Sequence, residues 1–160
     1  MYLAYDTLSD GMKQLIDPLV GIHVQEESSL EHSSPERLET SRRSKTIAHA
    51  LVKVHPETGR KSLYVEDKVM LFAGMTPEES RPLIDFLRGH ARRQQFVYRH
   101  IWQKHDLLMW DNRCTNHNAL GNYDRRNETR LMEKTAVVGP NSGYLYHDTS
   151  QSRNMSVSYI

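Results

Sequence analysis

Trp110-Asp111-Asn112-Arg113-Cys114-Thr115-Asn116-His117 is the stretch on which the reading of this chain turns. Asp111-Asn112-Arg113 is turn chemistry, placed directly after the apolar run Leu107-Leu108-Met109-Trp110. A hydrophobic strand ending in such a turn delivers the residues that follow to the mouth of a barrel. The last of them, His117, offers an imidazole that suits iron, zinc or copper. Thirteen residues further on stands Arg130. Side chains alternate along a strand, so Arg130, Met132 and Lys134 share one face. If that face lines a low-dielectric interior, two unpaired cations there are costly and an anionic ligand is their natural partner. Arginine can hold a carboxylate through two parallel hydrogen bonds, which fixes orientation as well as charge. If the face meets water, both residues are ordinary solvated charges, and spacing alone leaves the two readings open.

Working outward, Phe96, Tyr98, His100 and Trp102 alternate with Val97, Arg99 and Ile101, which is strand spacing. Lys104-His105-Asp106 reads as a turn into a strand over Leu107 to Trp110, and a further strand is expected near Arg130 to Val138. Upstream, Ile47 to Val65 reads as a hairpin. Ala48, Ala50, Val52 and Val54 are expected on one face, Pro56-Glu57-Thr58-Gly59 supplies the turn, and Ser62-Leu63-Tyr64-Val65 returns. Thr76-Pro77-Glu78-Glu79 has the form of a capping box. Pro82 conflicts with a helix that starts so early, so Ser80 is expected as the cap, with Leu83, Ile84, Phe86, Leu87 and Ala91 as the buried stripe. A shorter helix is expected over residues 8 to 20, from Leu8, Met12, Leu15 and Ile16, with Ser9 as cap and Pro18 at its end. Residues 24–46 are polar, rich in Ser, Glu and Arg, and read as a lid loop. After Pro140 the pattern has no period, and residues 140–160 read as a poorly ordered tail.

A chain of 160 residues can bury one real core. With 21 basic and 20 acidic residues the net charge is +1, so no bulk field favours nucleic acid or an anionic membrane. No apolar run approaches the roughly 20 residues of a membrane span. Met1-Tyr2-Leu3-Ala4-Tyr5-Asp6 lacks the basic-then-apolar order of a secretion signal. The single cysteine, Cys114, excludes an internal disulfide framework and fits a reducing compartment. A cytoplasmic protein with no nucleic-acid or membrane partner is the expectation, and self-association stays open.

Residues 54 to 65, Trp102 to His117, and Arg130-Leu131-Met132 together resemble the TauD/TfdA family of Fe(II)/2-oxoglutarate-dependent dioxygenases. The likeness runs from near Tyr5 to about Gly139, and residues 1–139 are expected to be the C-terminal part of such a domain. It implies a mainly β fold with flanking helices, a partial double-stranded β-helix or jelly roll of the cupin-like kind. It further implies that His117 is an iron ligand, that Arg130 binds 2-oxoglutarate, and that Lys134 stands where the family has a second arginine near the substrate's anionic group. Lysine there keeps the charge and loses the bidentate fork. Trp110 would lie beside the metal and contribute weakly to the substrate site, although a core tryptophan explains its type equally well. The implied chemistry uses Fe(II), dioxygen and 2-oxoglutarate to hydroxylate a small anionic substrate, a sulfonate or an aryloxy or alkyl carboxylate. A non-catalytic anion-binding or interaction module on the same scaffold is the other reading.

The family's iron is held by two histidines and a carboxylate, with one histidine and the carboxylate two residues apart. No His-x-Asp occurs in these 160 residues, and the His-x-Glu that does occur is His55-Pro56-Glu57. His55-Pro56-Glu57 has the spacing, but it falls in the hairpin turn, and the proline fixes a geometry that gives both side chains no reason to face one ion. His105-Asp106 and His147-Asp148 are adjacent and would diverge on a strand. The isolated chain is therefore expected to be a truncated dioxygenase with little or no activity.

Overall fold

The computed structural model describes residues 1–23, 46–121, 124, 126–127, 131–137 and 143–145. The expected lid, apart from Thr46, lies outside the described residues, as do Arg130 and most of the expected tail.

Two short helices open the chain, α1 (Tyr2–Asp6) and α2 (Asp10–Ile16). Ser9 caps α2 by accepting from the Met12 amide at 3.3 Å, as its position suggests. The helix stops at Ile16, short of the expected boundary, because Val20 already begins β1 (Val20–His23). β1 pairs antiparallel with β2 (Ile47–Ala50) on one side and β5 (Val69–Phe72) on the other. Tyr144–Leu145 adds β6 along β2, so these residues of the expected tail have a ladder partner; the order is β5-β1-β2-β6. β1 carries Gly21 because a Cβ there would stand 3.3 Å from Val69 Cγ1.

The hairpin forms from β3 (Val52–Val54) and β4 (Lys61–Leu63), with Gly59 at φ +67° closing the turn. The expected single face does not persist. Leu51 donates its amide to Leu19 O (2.9 Å) and accepts from the Tyr64 amide (2.7 Å), handing the chain from one sheet to the other. That hand-over flips the alternation: Ala48, Leu51 and Val52 are buried, while Ala50 and Val54 are exposed.

The long helix α3 spans Pro77–Ala91, and its cap is Thr76, not Ser80. Both arms of the capping box are made: the Glu79 amide donates to Thr76 Oγ1 (3.3 Å) and the Thr76 amide to Glu79 Oε2 (2.8 Å). Pro82 is tolerated inside the helix at the loss of one backbone bond. Ser80 has another task. It is fully buried, and its hydroxyl accepts from the Phe72 amide at 3.0 Å, tying α3 to β5. Ile84 and Leu87 form the buried stripe as expected, whereas Phe86 is exposed. They pack with Tyr5, Leu8, Ile16, Leu51, Val52, Leu63, Val65, Val69 and Phe72 in one core.

After a 3-10 turn at Gln94–Phe96, the expected strands over Phe96–Trp102, Leu107–Trp110 and the described part of Arg130–Val138 do not form ladders. Period-two geometry is nonetheless present: the His100 ring lies 6.3 Å from Tyr98 and 4.6 Å from Trp102. The turn at residues 104–105 is also present, with His105 at φ 75°. A strand needs a neighbour to exchange backbone hydrogen bonds with. Among the described residues, the backbone amides of this segment bond only within local turns.

Candidate active site

The Asp111–Thr115 turn is built from its first residue. The Asp111 carbonyl accepts from the Cys114 and Thr115 amides (3.3 and 3.0 Å) and from the Thr115 hydroxyl. Its carboxylate accepts from the Arg113 amide (2.8 Å) and from the Arg113 guanidinium at 2.6–3.0 Å. It also takes a hydrogen bond from His55 Nε2 at 3.0 Å. The Arg113 guanidinium, then the His55 bond, holds the Asp111 carboxyl well below the usual carboxylate range. Arg113 reaches on to Glu57 (2.9 Å), so the turn is latched to the hairpin through two different side chains.

Trp110 and His117 flank this turn, and their rings come within 4.9 Å of each other. Lys134 places its ammonium 5.8 Å from the Trp110 ring centroid, within cation–π range. Three of the four residues singled out from the sequence thus gather around one indole. His117 and Lys134 are exposed. Arg130, the fourth, lies outside the described residues.

Sequence reasoning missed the link between His55 and Asp111, 56 residues apart. The only available signal was that two turn motifs each held one polar side chain with no evident solvent role. His55, Asp111 and Cys114 place donor atoms within 4.8 Å of one another. The Arg113 guanidinium already occupies the carboxylate and would repel a cation, so the arrangement is a hydrogen-bonded clamp. A second polar cluster lies in the sheet. His23, His49 and Tyr64 have ring centroids 4.9–5.5 Å apart, and the Lys53 ammonium sits 3.3 Å from the Tyr64 ring. Burial first, then the nearby His49 and Lys53 charges, pushes the His23 imidazole down to about 3.

The sequence model of the taurine catabolism dioxygenase TauD, TfdA family matches residues 1–135. The chain belongs to this family. Among curated TauD/TfdA-type relatives, an alpha-ketoglutarate-dependent 2,4-dichlorophenoxyacetate dioxygenase from Burkholderia sp. is 34% identical, over 86% of this chain and 46% of its own length. An alkylsulfatase from Acinetobacter baylyi is 30% identical, over 85% of this chain and 45% of its own length. The chain spans about half the length of the curated relatives it matches. Of solved structures, AAD-2 in complex with Mn(II) and N-oxalylglycine aligns with a TM-score of 0.61 at 39% identity, covering 71% of this chain and 42% of that one. A taurine dioxygenase from Burkholderia xenovorans aligns at 0.52 and 33% identity, covering 64% and 32%. The fold is accordingly part of a jelly roll.

For a TauD/TfdA chain the donor set decides whether iron fits. His117 can fill one coordination position. The one convergent set of three donors among the described residues is His55, Asp111 and Cys114, which excludes His117. A single exposed imidazole holds Fe(II) only weakly against water, so the described residues do not by themselves make the centre. No helix among the described residues is long and apolar enough to cross a membrane.

Proposed function

We propose that this chain supplies the His117 and Arg130 side of an Fe(II)/2-oxoglutarate-dependent dioxygenase acting on a small anionic organic substrate, of the sulfate ester, sulfonate or aryloxy carboxylate class. In this reading His117 donates one imidazole to the metal, Arg130 grips the far carboxylate of 2-oxoglutarate, and Lys134, steadied over Trp110, meets the anionic end of the substrate. When bound, the metal and keto acid supply the oxidising chemistry; the protein's part is orientation and exclusion of water. The observation that carries the reading is the gathering of Trp110, His117 and Lys134 around the turn in a chain of this family. The small-anion classes come from the relatives' own names, an alkylsulfatase and a dichlorophenoxyacetate dioxygenase. One observation favours a second reading: with a single imidazole at the site, the cations alone would make an anion-binding module that works without metal.

Calorimetric titration of 2-oxoglutarate into the full chain, with and without Mn(II), separates the two. The dioxygenase reading expects Mn(II) to tighten binding in the native protein and to have no effect in His117→Ala. The module expects equal binding with and without metal. Arg130→Ala should weaken 2-oxoglutarate at least about tenfold on either reading, since a bidentate charged contact is lost. Native-like affinity in that variant overturns both.

A further inference from the structure

His55 is among the most buried polar residues of the hairpin, yet the function proposed above gives it no task. Its ring nitrogens divide their work. Nδ1 accepts from the amides of Glu57 and Thr58, both at 3.3 Å, which caps the turn of its own hairpin. The proton therefore sits on Nε2, which donates to Asp111 Oδ2 at 3.0 Å. The ring is thus a fixed two-ended strut between the hairpin turn and the first residue of the Asp111–Thr115 turn.

That turn has a measurable consequence. Trp110 precedes it and His117 follows it by two residues, so the curvature of residues 111–115 sets how the two rings meet at 4.9 Å. Among the described residues, the backbone of the turn is otherwise fastened at its later residues: Ser62 Oγ donates to the Arg113 carbonyl (3.3 Å) and the Met1 ammonium to the Cys114 carbonyl (3.0 Å). Arg113 grips Asp111 from within the same turn and reaches Glu57 of the hairpin at 2.9 Å, but that pair is exposed and constrains the turn only weakly. His55 is the one buried side chain among the described residues that anchors Asp111 from outside.

We infer that His55, acting through Asp111, is a positioning residue: the buried imidazole fixes the turn that presents His117 against Trp110. A metal ligand must be held within about 0.5 Å of its working place by groups whose own geometry is locked, and this strut provides that lock. The functional meaning rests on the proposed role of His117; the geometric claim does not.

Two substitutions divide the strut. His55→Asn keeps an oxygen near the Nδ1 position for the two amides and loses the donor to Asp111. His55→Gln places an amide nitrogen near Nε2 and keeps that donor. The readout is the proton shifts of the His117 ring in the full chain, which the adjacent indole moves by its ring current. Line broadening of the same resonances by Mn(II) is recorded in parallel. His55→Asn should carry the His117 shifts most of the way to those of a free histidine and weaken Mn(II) broadening severalfold, while His55→Gln restores both. If His55→Asn fails to fold, Asp111→Ala, which removes the acceptor, replaces it and should show the same loss. Native His117 shifts in the folded Asn variant overturn the inference, as does equal disturbance by Asn and Gln. Absence of Mn(II) broadening in the native protein, with the shift changes intact, instead defeats the ligand reading of His117 and leaves the strut standing.

Discussion

The described residues of 1–93 and those of 97–137 both carry apolar side chains in regular patterns, and they meet opposite environments. In the first region α3 lays Ile84 and Leu87 onto Val69 and Phe72 of β5, and Leu51 joins two sheets over the same core. In the second, Ile101, Leu107, Met109 and Leu131 are each about 80% exposed or more. Hydrophobic burial is proportional to area removed from water and has no direction of its own. The difference between the regions is therefore a difference in available neighbours, not in composition. The second region keeps its turns and ring stacks because those need only residues a few positions apart. Among the described residues, its long-range attachment at the turn runs through hydrogen bonds to the hairpin and to Met1 and an ion pair from Arg113 to Glu57.

That contrast can be broken by mutation. Leu51→Ala should be the most damaging change, costing roughly 2–5 kcal/mol because a fully buried side chain at a sheet junction leaves a cavity; urea unfolding measures it. Acid tests the same region through His23. Its folded value of about 3 lies below the ordinary 6.5, so the unfolded chain binds the proton more readily between those limits. Stability contributed by the neutral ring is complete above pH 6.5 and falls as pH drops toward 3, by up to about tenfold in the folded ratio per pH unit. His49, Lys53, Lys68 and Arg88 all oppose its protonation. Denaturant midpoints between pH 7 and 4 should flatten in His23→Gln, and an unchanged slope would remove His23 from the account.

Smaller effects sharpen the contrast further. Ser80→Ala strands the buried Phe72 amide and should cost about 1–3 kcal/mol. Thr76→Ala removes one arm of the capping box and should cost about 1 kcal/mol. Leu107→Ser, in the exposed region, should stay within about 0.5 kcal/mol of the native chain. A loss comparable to that of Leu51→Ala would mean that Leu107 is packed in solution, and the contrast would fail.

Much of this was legible without coordinates. Ser9, the Thr76 capping box, the Pro56–Gly59 turn and the Lys104-His105 turn are local devices whose partners lie within five residues, and each is present. Where two local signals competed, the sequence misled. Pro82 argued for Ser80 as cap, but the proline's lost bond proved tolerable and Ser80 was needed by Phe72. The shared face of Ala48, Ala50, Val52 and Val54 failed because no pattern announces a residue that changes sheets. Of the candidate site, the residue types and their spacing were visible. The meeting of Trp110, His117 and Lys134 was visible only as an implication of resemblance.

What the sequence determined alone is therefore short in range: caps, turns, the α3 stripe, the motif of residues 110–117 and the family it marks. Tertiary structure decided which apolar segments found a ladder, which polar residue served the core, and that His55 reaches across 56 residues to Asp111. The physical reason is that local hydrogen bonds are specified by neighbouring residues, whereas a ladder, a buried acceptor or a strut exists only once two distant segments have met.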